Sequence, residues 1–404
     1  MTEHSRQDLS HQAGVAPSYV DRLVELGMLT PLVEDRFSSG DMRRARWIKN
    51  FERAGVPLED MAAAVRDGTL SFSFLDVSAF DRFVGLSNTT FEELTNTSGI
   101  PLEVLAVVRE AFGHPEPRPE DYVREDELAV VSAVELQLSS GFRPEVIERW
   151  LRVYEESLRR IAETETDWYG SEVVSPLLDA GMGEAEMLDA QGEFGSKMAP
   201  LVEQALVAIY HGQQERVWTR SAVERTEDAL EKAGLYSRIH GPPAVSFLDL
   251  TGYSRLTEEQ GDEAAADLAA ELRALVRRST LEHAGESVKW LGDGVMFYFS
   301  DPTNSVLAAF DMVEVVVAHQ LPPARVGIHA GPVIFQEGDY FGRTVNVAAR
   351  IADYARPGEV LVSQEVVDAA SGTQLTFHEI GPVELKGVAG AVSLHTAHRA
   401  DGAA

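Results

Sequence analysis

The stretch GESVKWLGDGVMFYF (285–299) constrains the fold of this chain more than any other. Two β-prone runs, Ser287–Leu291 and Val295–Phe299, flank the turn Gly292-Asp293-Gly294, and an Asp-Gly pair between alternating apolar residues is a strong hairpin signal. This turn puts a carboxylate at a hairpin tip, and Lys289 lies inside an otherwise apolar strand. Such residue types suit a site for an anionic ligand and a metal, but a solvated surface turn has the same pattern. The rest of the sequence is needed to distinguish a ligand and metal site from a solvated surface turn.

Composition limits the classes of protein that this sequence can encode. The 404 residues are enough for two or three domains. No apolar run reaches the roughly 18 residues that a membrane span needs, and the polar start MTEHSRQDLS is unlike a signal peptide. Cysteine is absent, which excludes disulfides and thiolate metal sites and favours a cytoplasmic protein. The net charge of −30 argues against a general attraction to nucleic acid.

The N-terminal region is predicted to be helical. Residues 8–67 resemble a MerR-type winged helix-turn-helix, through LVELGML and DRFSSGDMRRARWIKNFERAGVPLEDMAAAV. The resemblance implies DNA binding. One predicted helix of this segment, from Asp41 to Ala54, carries the basic residues Arg43, Arg44, Arg46, Lys49 and Arg53. The alternative is a helical module kept for packing or regulation. Because residues 1–70 hold 9 basic and 11 acidic residues, we favour the alternative and expect no specific DNA binding.

The helical pattern is repeated before the sequence changes to an α/β pattern. Residues 91–113 and 121–154 follow the same order of helices and Gly turns as the first copy but lack its arginine cluster, which is typical of a scaffold. Gly241-Pro242-Pro243 then breaks the helical pattern. We predict four segments. They are a MerR-like helical domain (1–75), a helical regulatory domain (76–212), a linker helix (213–240) and an α/β domain (241–404).

The α/β domain begins with the apolar strand VSFLDL, which Asp249 nearly ends. Asp249 and Asp293 both lie on apolar strands before Gly-containing turns, where a buried carboxylate is costly unless it has a partner. We predict a mixed sheet with helices on one side. The expected elements after the first strand are a helix (258–283), the hairpin, a helix (302–319), two strands (324–329 and 331–336), a helix (344–354), a strand (360–363) and a last hairpin within 375–386.

From 244 to 390 the sequence resembles the class III adenylyl cyclase catalytic domain, through FLDLTGYS, VKWLGDGVM, RVGIHAG, DYFGRTVNVAARI and GPVELKG in family order. The resemblance implies an α+β, ferredoxin-like fold with a βαββαβ core. It also implies a phosphorus–oxygen lyase that converts ATP to 3′,5′-cyclic AMP and pyrophosphate. By position it assigns metal binding to Asp249, Asp293 and the Leu250 carbonyl, adenine selection to Lys289 and Asp339, transition-state contacts to Asn346 and Arg350, and phosphate binding to Lys386.

The implied chemistry suits these residue types. Oxygen ligands without cysteine favour two Mg²⁺ or Mn²⁺ ions per site. Adenine offers an N6 donor and an N1 acceptor, so an accepting Asp339 and a donating Lys289 favour adenine over guanine. Arg350 follows Asn346 by four residues, so both project from one helix face. Pro332 stands where some family members carry a basic residue, so we expect no phosphate contact from that position.

The resemblance also implies an assembly and a form of control. In the family, the metal aspartates and the transition-state residues of one site come from different subunits, which implies a homodimer with two composite sites. The helical N-terminus is similar to that of actinobacterial cyclases, some of which are described as pH-sensing. A small molecule, a lipid or a proton remain equally open as the regulator, as does its sign. Two other functions remain open: a guanylyl cyclase, and a nucleotide-sensing transcription regulator with a weakly active cyclase-like domain.

Overall fold

The chain folds into two compact units, Met1–Thr219 and Arg220–Ala404, in a computed structural model. The structure describes residues 3–32, 35–235, 241–253, 258–259, 261–291, 294–370 and 374–400. The tip of the predicted hairpin, with Asp293, therefore lies outside the described residues. Within the described part of the chain, no helix is long and apolar enough to cross a membrane.

The first unit contains one strand–helix–helix–strand–helix–helix motif twice over. The first copy consists of β1 (Glu3–Ser5), α1 (Arg6–Ala13), α2 (Pro17–Glu25), β2 (Arg36–Ser38), α3 (Ser39–Arg53) and α4 (Leu58–Asp67). The second copy consists of β3 (Leu86–Thr90), α5 (Phe91–Ser98), α6 (Leu102–Ala111), β4 (Tyr122–Arg124), α7 (Glu125–Ser139) and α8 (Pro144–Tyr169). In each copy the two short strands pair antiparallel. The predicted duplication is confirmed.

Each of these short strands ends at a residue that begins a helix. Ser5 accepts from the Asp8 N–H at 3.2 Å, and the Asp8 carboxylate accepts from the Ser5 N–H at 3.3 Å. Such a capping box pairs two backbone groups that would otherwise lack partners and so fixes the start of the helix. The same exchange recurs at the start of α3 and α5, between Ser38 and Asp41 and between Thr90 and Glu93.

The arginine cluster of α3 is used inside the first unit. The Arg43 side chain is buried, and its Nε donates to the Leu75 carbonyl at 2.9 Å while its Nη1 contacts Asp81 at 3.0 Å. Arg46 donates to the backbone carbonyls of Phe83 and Val84. Guanidinium groups held in this way are not presented to a phosphate backbone. These contacts favour the packing role that we preferred over DNA binding.

The helical region ends in one long helix. After a π-helical turn (Gly170–Val174) come α9 (Ser175–Asp179) and α10 (Glu184–Lys232), which is 49 residues long and includes Pro200. The segment predicted as a linker helix from 213 is thus the C-terminal part of a helix that begins at Glu184. Residues 236–240 lie outside the described part. The fourfold division of the chain stays a prediction.

The second unit is a seven-stranded mixed sheet with helices. Its elements are β5 (Ala244–Leu250), α11 (Asp262–Glu282), β6 (Glu286–Leu291), β7 (Gly294–Phe299), α12 (Pro302–Ala318), β8 (Ala324–Ala330), β9 (Ile334–Gln336), β10 (Asp339–Phe341), α13 (Arg343–Tyr354), β11 (Val360–Ser363), α14 (Gln364–Ala369), β12 (Leu375–Glu384) and β13 (Ala391–Arg399). The sheet order is β12-β13-β11-β8-β5-β7-β6. The first four strands lie in the order fourth, first, third, second and are joined as βαββαβ, so the predicted ferredoxin-like core is confirmed.

Helices cover both faces of this sheet, and the prediction of helices on one side is wrong. On β5, Ala244 and Leu248 belong to the core that includes α11 and α12. Val245 packs with Val345 and Ala348 of α13, in a separate cluster. Because alternate residues of a strand face opposite sides, a strand apolar on both faces needs cover on both.

Helix α13 lies against β8 at Gly327. A Cβ atom at this position would overlap the backbone of Ile351 and Ala352. Glycine is therefore required for the close approach of a helix to a strand rather than for an unusual backbone angle. This contact brings α13 next to the strand that pairs with β5.

The last hairpin spans more residues than predicted. Strand β12 runs to Glu384 and pairs with β13 over its whole length, so the turn (385–390) and the second strand extend beyond the range 375–386 in which a complete hairpin was expected. The pairing register shifts between Glu379 and Gly381, an irregularity within the continuous strand β12. Strand β10, which the sequence did not predict, pairs with β9 in a separate two-stranded sheet.

Candidate active site

Asp249 lies one residue before the end of β5 and is paired with a cation. Its partners across the sheet are Gly294 on β7 and Arg325 on β8. Arg325 Nε donates to Asp249 Oδ2 at 2.9 Å, and Nη2 contacts the same oxygen at 2.5 Å. The carboxylate is about 29% exposed, so a ligand can reach it. The guanidinium compensates the charge of this partly buried carboxylate.

The other predicted metal ligands are only partly described. Asp293 lies outside the described residues, although Gly294, which follows it, is the register partner of Asp249. Leu250 ends β5 with its side chain buried. The next residue, Thr251, donates through its N–H and its hydroxyl to the Pro323 carbonyl, at 2.9 and 2.7 Å. Among the described residues no group of three or more His, Cys, Asp or Glu side chains could hold a metal.

Lys289 and Asp339, separated by 50 residues in sequence, form an ion pair with Nζ and Oδ2 2.5 Å apart. Lys289 lies on β6 and Asp339 begins β10. The other carboxylate oxygen, Oδ1, accepts from the Tyr340 N–H at 2.8 Å. The Lys289 ammonium also lies 5.9 Å from the ring centroid of Phe341. The structure thus brings together the two residues expected to act as a pair.

Asn346 and Arg350 lie on the exposed side of α13. The helix is amphipathic: Val347, Ala348 and Ile351 are buried, whereas both predicted transition-state residues face solvent. Arg350 Nη1 contacts Asp353 Oδ2 at 2.7 Å. Neither residue forms a hydrogen bond or ion pair with Asp249, Lys289 or Asp339 in the described part of the chain. Within one chain, therefore, the predicted site residues fall into separate groups.

Lys386 lies in the turn between β12 and β13, and its side chain is exposed. Gly387 follows it with φ of 78°, a left-handed conformation that lets the chain turn back. No ion pair ties the Lys386 ammonium to another described residue. It is therefore free to meet an anionic ligand, but the structure places it beside none of the other predicted site residues.

Sequence reasoning missed the residues that hold the expected ones in place. Arg325 opens the RVGIHAG motif, and its register opposite Asp249 follows only from strand pairing. Glu286, on β6, contacts both Arg220 on α10 and Tyr340 on β10. Arg220 is one of several charged residues on a long helix, and nothing in its local sequence marks it out.

Comparisons with known proteins assign both parts of the chain. The family described as the adenylate and guanylate cyclase catalytic domain matches residues 235–398. The family described as the adenylate cyclase regulatory domain matches residues 30–211.

Individual relatives are similar over different lengths. A pH-sensitive adenylate cyclase of Mycobacterium tuberculosis is 29% identical over 317 residues, which are 76% of this chain and 77% of that protein. An adenylate cyclase of Streptomyces griseus is 32% identical over 167 residues, 41% of each chain. Among solved structures, the adenylyl cyclase CyaB from P. aeruginosa is 25% identical with a TM-score of 0.35, over 39% of this chain and 93% of that chain.

Proposed function

This chain is a class III adenylate cyclase in which an adenylate cyclase regulatory domain precedes the catalytic domain, and we propose that it forms 3′,5′-cyclic AMP and pyrophosphate by in-line attack of the ribose 3′-hydroxyl of ATP on the α-phosphorus. The observation that carries this proposal is the Lys289–Asp339 ion pair, 2.5 Å between Nζ and Oδ2. Phosphoryl transfer leaves little covalent chemistry to the protein, so positioning and charge are its main contributions.

The Lys289–Asp339 pair is proposed to select adenine. Asp339 accepts a hydrogen bond from the N6 amino group, and Lys289 donates to N1. Guanine presents an acceptor at O6 and a donor at N1, so both contacts would be reversed. A site built for one hydrogen-bond pattern rejects the other because its polar groups are left unpaired. Both side chains are partly exposed, which leaves them accessible to a base.

The donor chemistry near the end of β5 fits two divalent cations, Mg²⁺ or Mn²⁺. Bound there, such ions would polarise the phosphates and lower the pKa of the attacking hydroxyl. Asp249, Asp293 and the Leu250 carbonyl are the proposed ligands, all of them hard oxygen donors. In the described part of the chain, Arg325 contacts Asp249 through Oδ2 and the carboxylate is about 29% exposed, so a cation can still reach it.

Asn346 and Arg350 are proposed to act across a dimer. Their exposure on α13 and their lack of contact with Asp249 among the described residues suit residues that complete the site of a second copy. Arg350 would meet charge on the α-phosphate, Asn346 would orient the ribose, and Lys386 would bind a phosphate. A symmetric dimer then has two complete sites, each with residues from both chains.

The N-terminal region is proposed to control the rate. Its match to an adenylate cyclase regulatory domain supports this role, and the pH sensitivity named for the M. tuberculosis relative makes protons the first signal to test. Burial lowers the pKa of His4 and of His114, both in this region. A cavity of about 710 Å³, lined in part by His4, Ser39 and Arg43, leaves a small molecule or lipid as the alternative regulator. A cytoplasmic location and the four-segment division also stay predictions.

Product analysis with ATP and GTP tests the proposed function. The full-length protein should make cyclic AMP from ATP much faster than cyclic GMP from GTP. Lys289→Glu combined with Asp339→Cys should abolish that preference, because the acceptor and donor positions are changed. Wild-type protein that uses both nucleotides equally would favour the guanylyl cyclase alternative. Wild-type protein that uses neither would favour a nucleotide-sensing regulator.

A further inference from the structure

Glu286 connects a residue of the long helix α10 to a residue of the small sheet that carries Asp339. One of its carboxylate oxygens, Oε1, forms an ion pair with Arg220 Nη1. The other, Oε2, accepts from the Tyr340 hydroxyl at 3.4 Å. The Arg220 and Glu286 side chains are about 30% and 24% exposed, so the contact is partly shielded from solvent. Both oxygens of one carboxylate are therefore occupied by groups from two different elements.

Tyr340, the residue that follows Asp339 on β10, is tightly packed. Its side chain is 6% exposed, and its ring stacks on Tyr298 with 4.3 Å between centroids and 5° between planes. Burial raises the pKa of its phenol, and Glu286 raises it further, so the hydroxyl stays a donor. The Tyr340 N–H donates to Asp339 Oδ1. A movement of Tyr340 would thus be passed directly to the Asp339 carboxylate.

The contact between Glu286 and Tyr340 joins the same two strands as the proposed adenine-selecting pair. Glu286 begins β6, which also carries Lys289, and Tyr340 follows Asp339 on β10. The register of β6 against β7 shifts between Ser287 and Lys289, so the regular ladder does not fix this part of β6. The two polar contacts together set the spacing of β6 and β10.

Arg220 adds a third element to this arrangement. It lies on α10, and the boundary between the two compact units falls immediately before it, at Thr219. An ion pair that loses one partner leaves a poorly solvated charge, which favours rearrangement of the remaining partner. Removal of the Arg220 guanidinium therefore leaves Glu286 free to draw Tyr340 or another donor into a new position.

We propose that Arg220 is a positioning residue for nucleobase selection: it holds Glu286, and through Tyr340 it fixes the geometry of the Lys289–Asp339 pair. The ion pair of Arg220 with Glu286 then affects which base the site accepts. This inference rests on the adenine-selecting role assigned to Lys289 and Asp339 under the proposed function.

The test is steady-state kinetics of the full-length Arg220→Met variant with ATP and with GTP. We expect KM for ATP to rise about five- to tenfold with little change in kcat, the scale of coupling between members of one contact network. The ratio of kcat/KM for ATP to that for GTP should fall by a similar factor. Arg220→Lys, which keeps a charge, should restore part of both values.

Two comparisons separate positioning from a merely structural contact. Arg225→Met removes an exposed arginine five residues further along α10 and should change neither value. Glu286→Gln should reduce discrimination, and combining it with Arg220→Met should add little, because both changes break the same connection. Loss of thermal stability with the same effect on ATP and GTP kinetics would overturn the inference.

The outcome also distinguishes this inference from the proposed function. If wild-type protein prefers ATP and the Lys289→Glu/Asp339→Cys variant loses that preference while Arg220→Met keeps it, the positioning role of Arg220 is refuted and the proposed function stands. If the Lys289→Glu/Asp339→Cys variant keeps the preference, the assigned role of the pair is wrong and the inference falls with it.

Discussion

Co-expression of two inactive variants tests whether each active site is shared between two chains. Asp249→Ala removes a proposed metal ligand at the end of β5, and Asn346→Ala removes a proposed ribose contact on the exposed side of α13. The two positions make no contact within the described part of one chain. If they act in one site, they must meet across a dimer, where each chain supplies one half of each site.

The size of the rescue follows from the symmetry. A mixed dimer has both lesions in one site and neither in the other, so one site of two is whole. Random association makes about half of the dimers mixed, so the co-expressed mixture should recover about a quarter of the wild-type activity, and heterodimers purified away from both parents should recover about half. Each parent homodimer should stay far lower, since loss of one transition-state contact costs about 3–4 kcal/mol, a factor of 10²–10³.

The assay is cyclic AMP formation by doubly tagged, co-purified heterodimers, measured beside both parents. The matched control is the pair Asn346→Ala and Arg350→Ala, which lie one helical turn apart on the same half of the proposed site. In that mixed dimer each site carries one lesion, so no rescue is expected. If Asp249→Ala and Asn346→Ala heterodimers are as inactive as their parents, or if the control pair is rescued equally well, the composite-site reasoning is refuted.

Four further results are expected. Excess EDTA should abolish turnover and added Mn²⁺ should restore it, whereas activity that survives chelation would contradict the two-metal proposal. Burial lowers the pKa of His329, with Glu365 opposing this shift and Arg343 adding to it. The folded protein thus binds fewer protons than the unfolded one, and stability should fall as the pH drops from about 6.5 towards the lowered pKa, by at most about 1.4 kcal/mol per pH unit. His329→Gln should reduce the slope of melting temperature against pH in that window, and a slope equal to that of the wild-type protein would contradict the assignment. Arg43→Met should destabilise the first unit by about 1–3 kcal/mol, because the Leu75 carbonyl loses its donor. Gel shifts of wild-type protein should show no sequence-specific DNA binding, and a specific complex that Arg43→Met abolishes without loss of stability would restore the DNA-binding alternative.

The sequence alone determined the local elements and the positions of the candidate residues within them. The run VSFLDL predicted a strand with Asp249 near its end, and β5 confirms it. The two runs around Gly292-Asp293-Gly294 predicted an antiparallel pair, and β6 and β7 confirm it. Such strands and turns are specified by the period of the side chains and by turn chemistry, which act over a few positions along the chain. The duplicated helical motif was visible for the same reason.

Only the tertiary structure decided which of these helices and strands contact one another. The pairing of Lys289 with Asp339 was implied by resemblance, but no spacing in the sequence places residues 50 positions apart within 2.5 Å. The salt bridge from Arg325 to Asp249 depends on the register of β8 against β5. Helix α13 covers the face of the sheet opposite to α11 and α12 because the central strands are apolar on both sides, which a strand's own sequence does not assign to particular helices. The contact between Arg220 and Glu286 joins a helix to a strand 66 residues later. Such contacts depend on how whole elements pack, and short-range patterns carry no information about that.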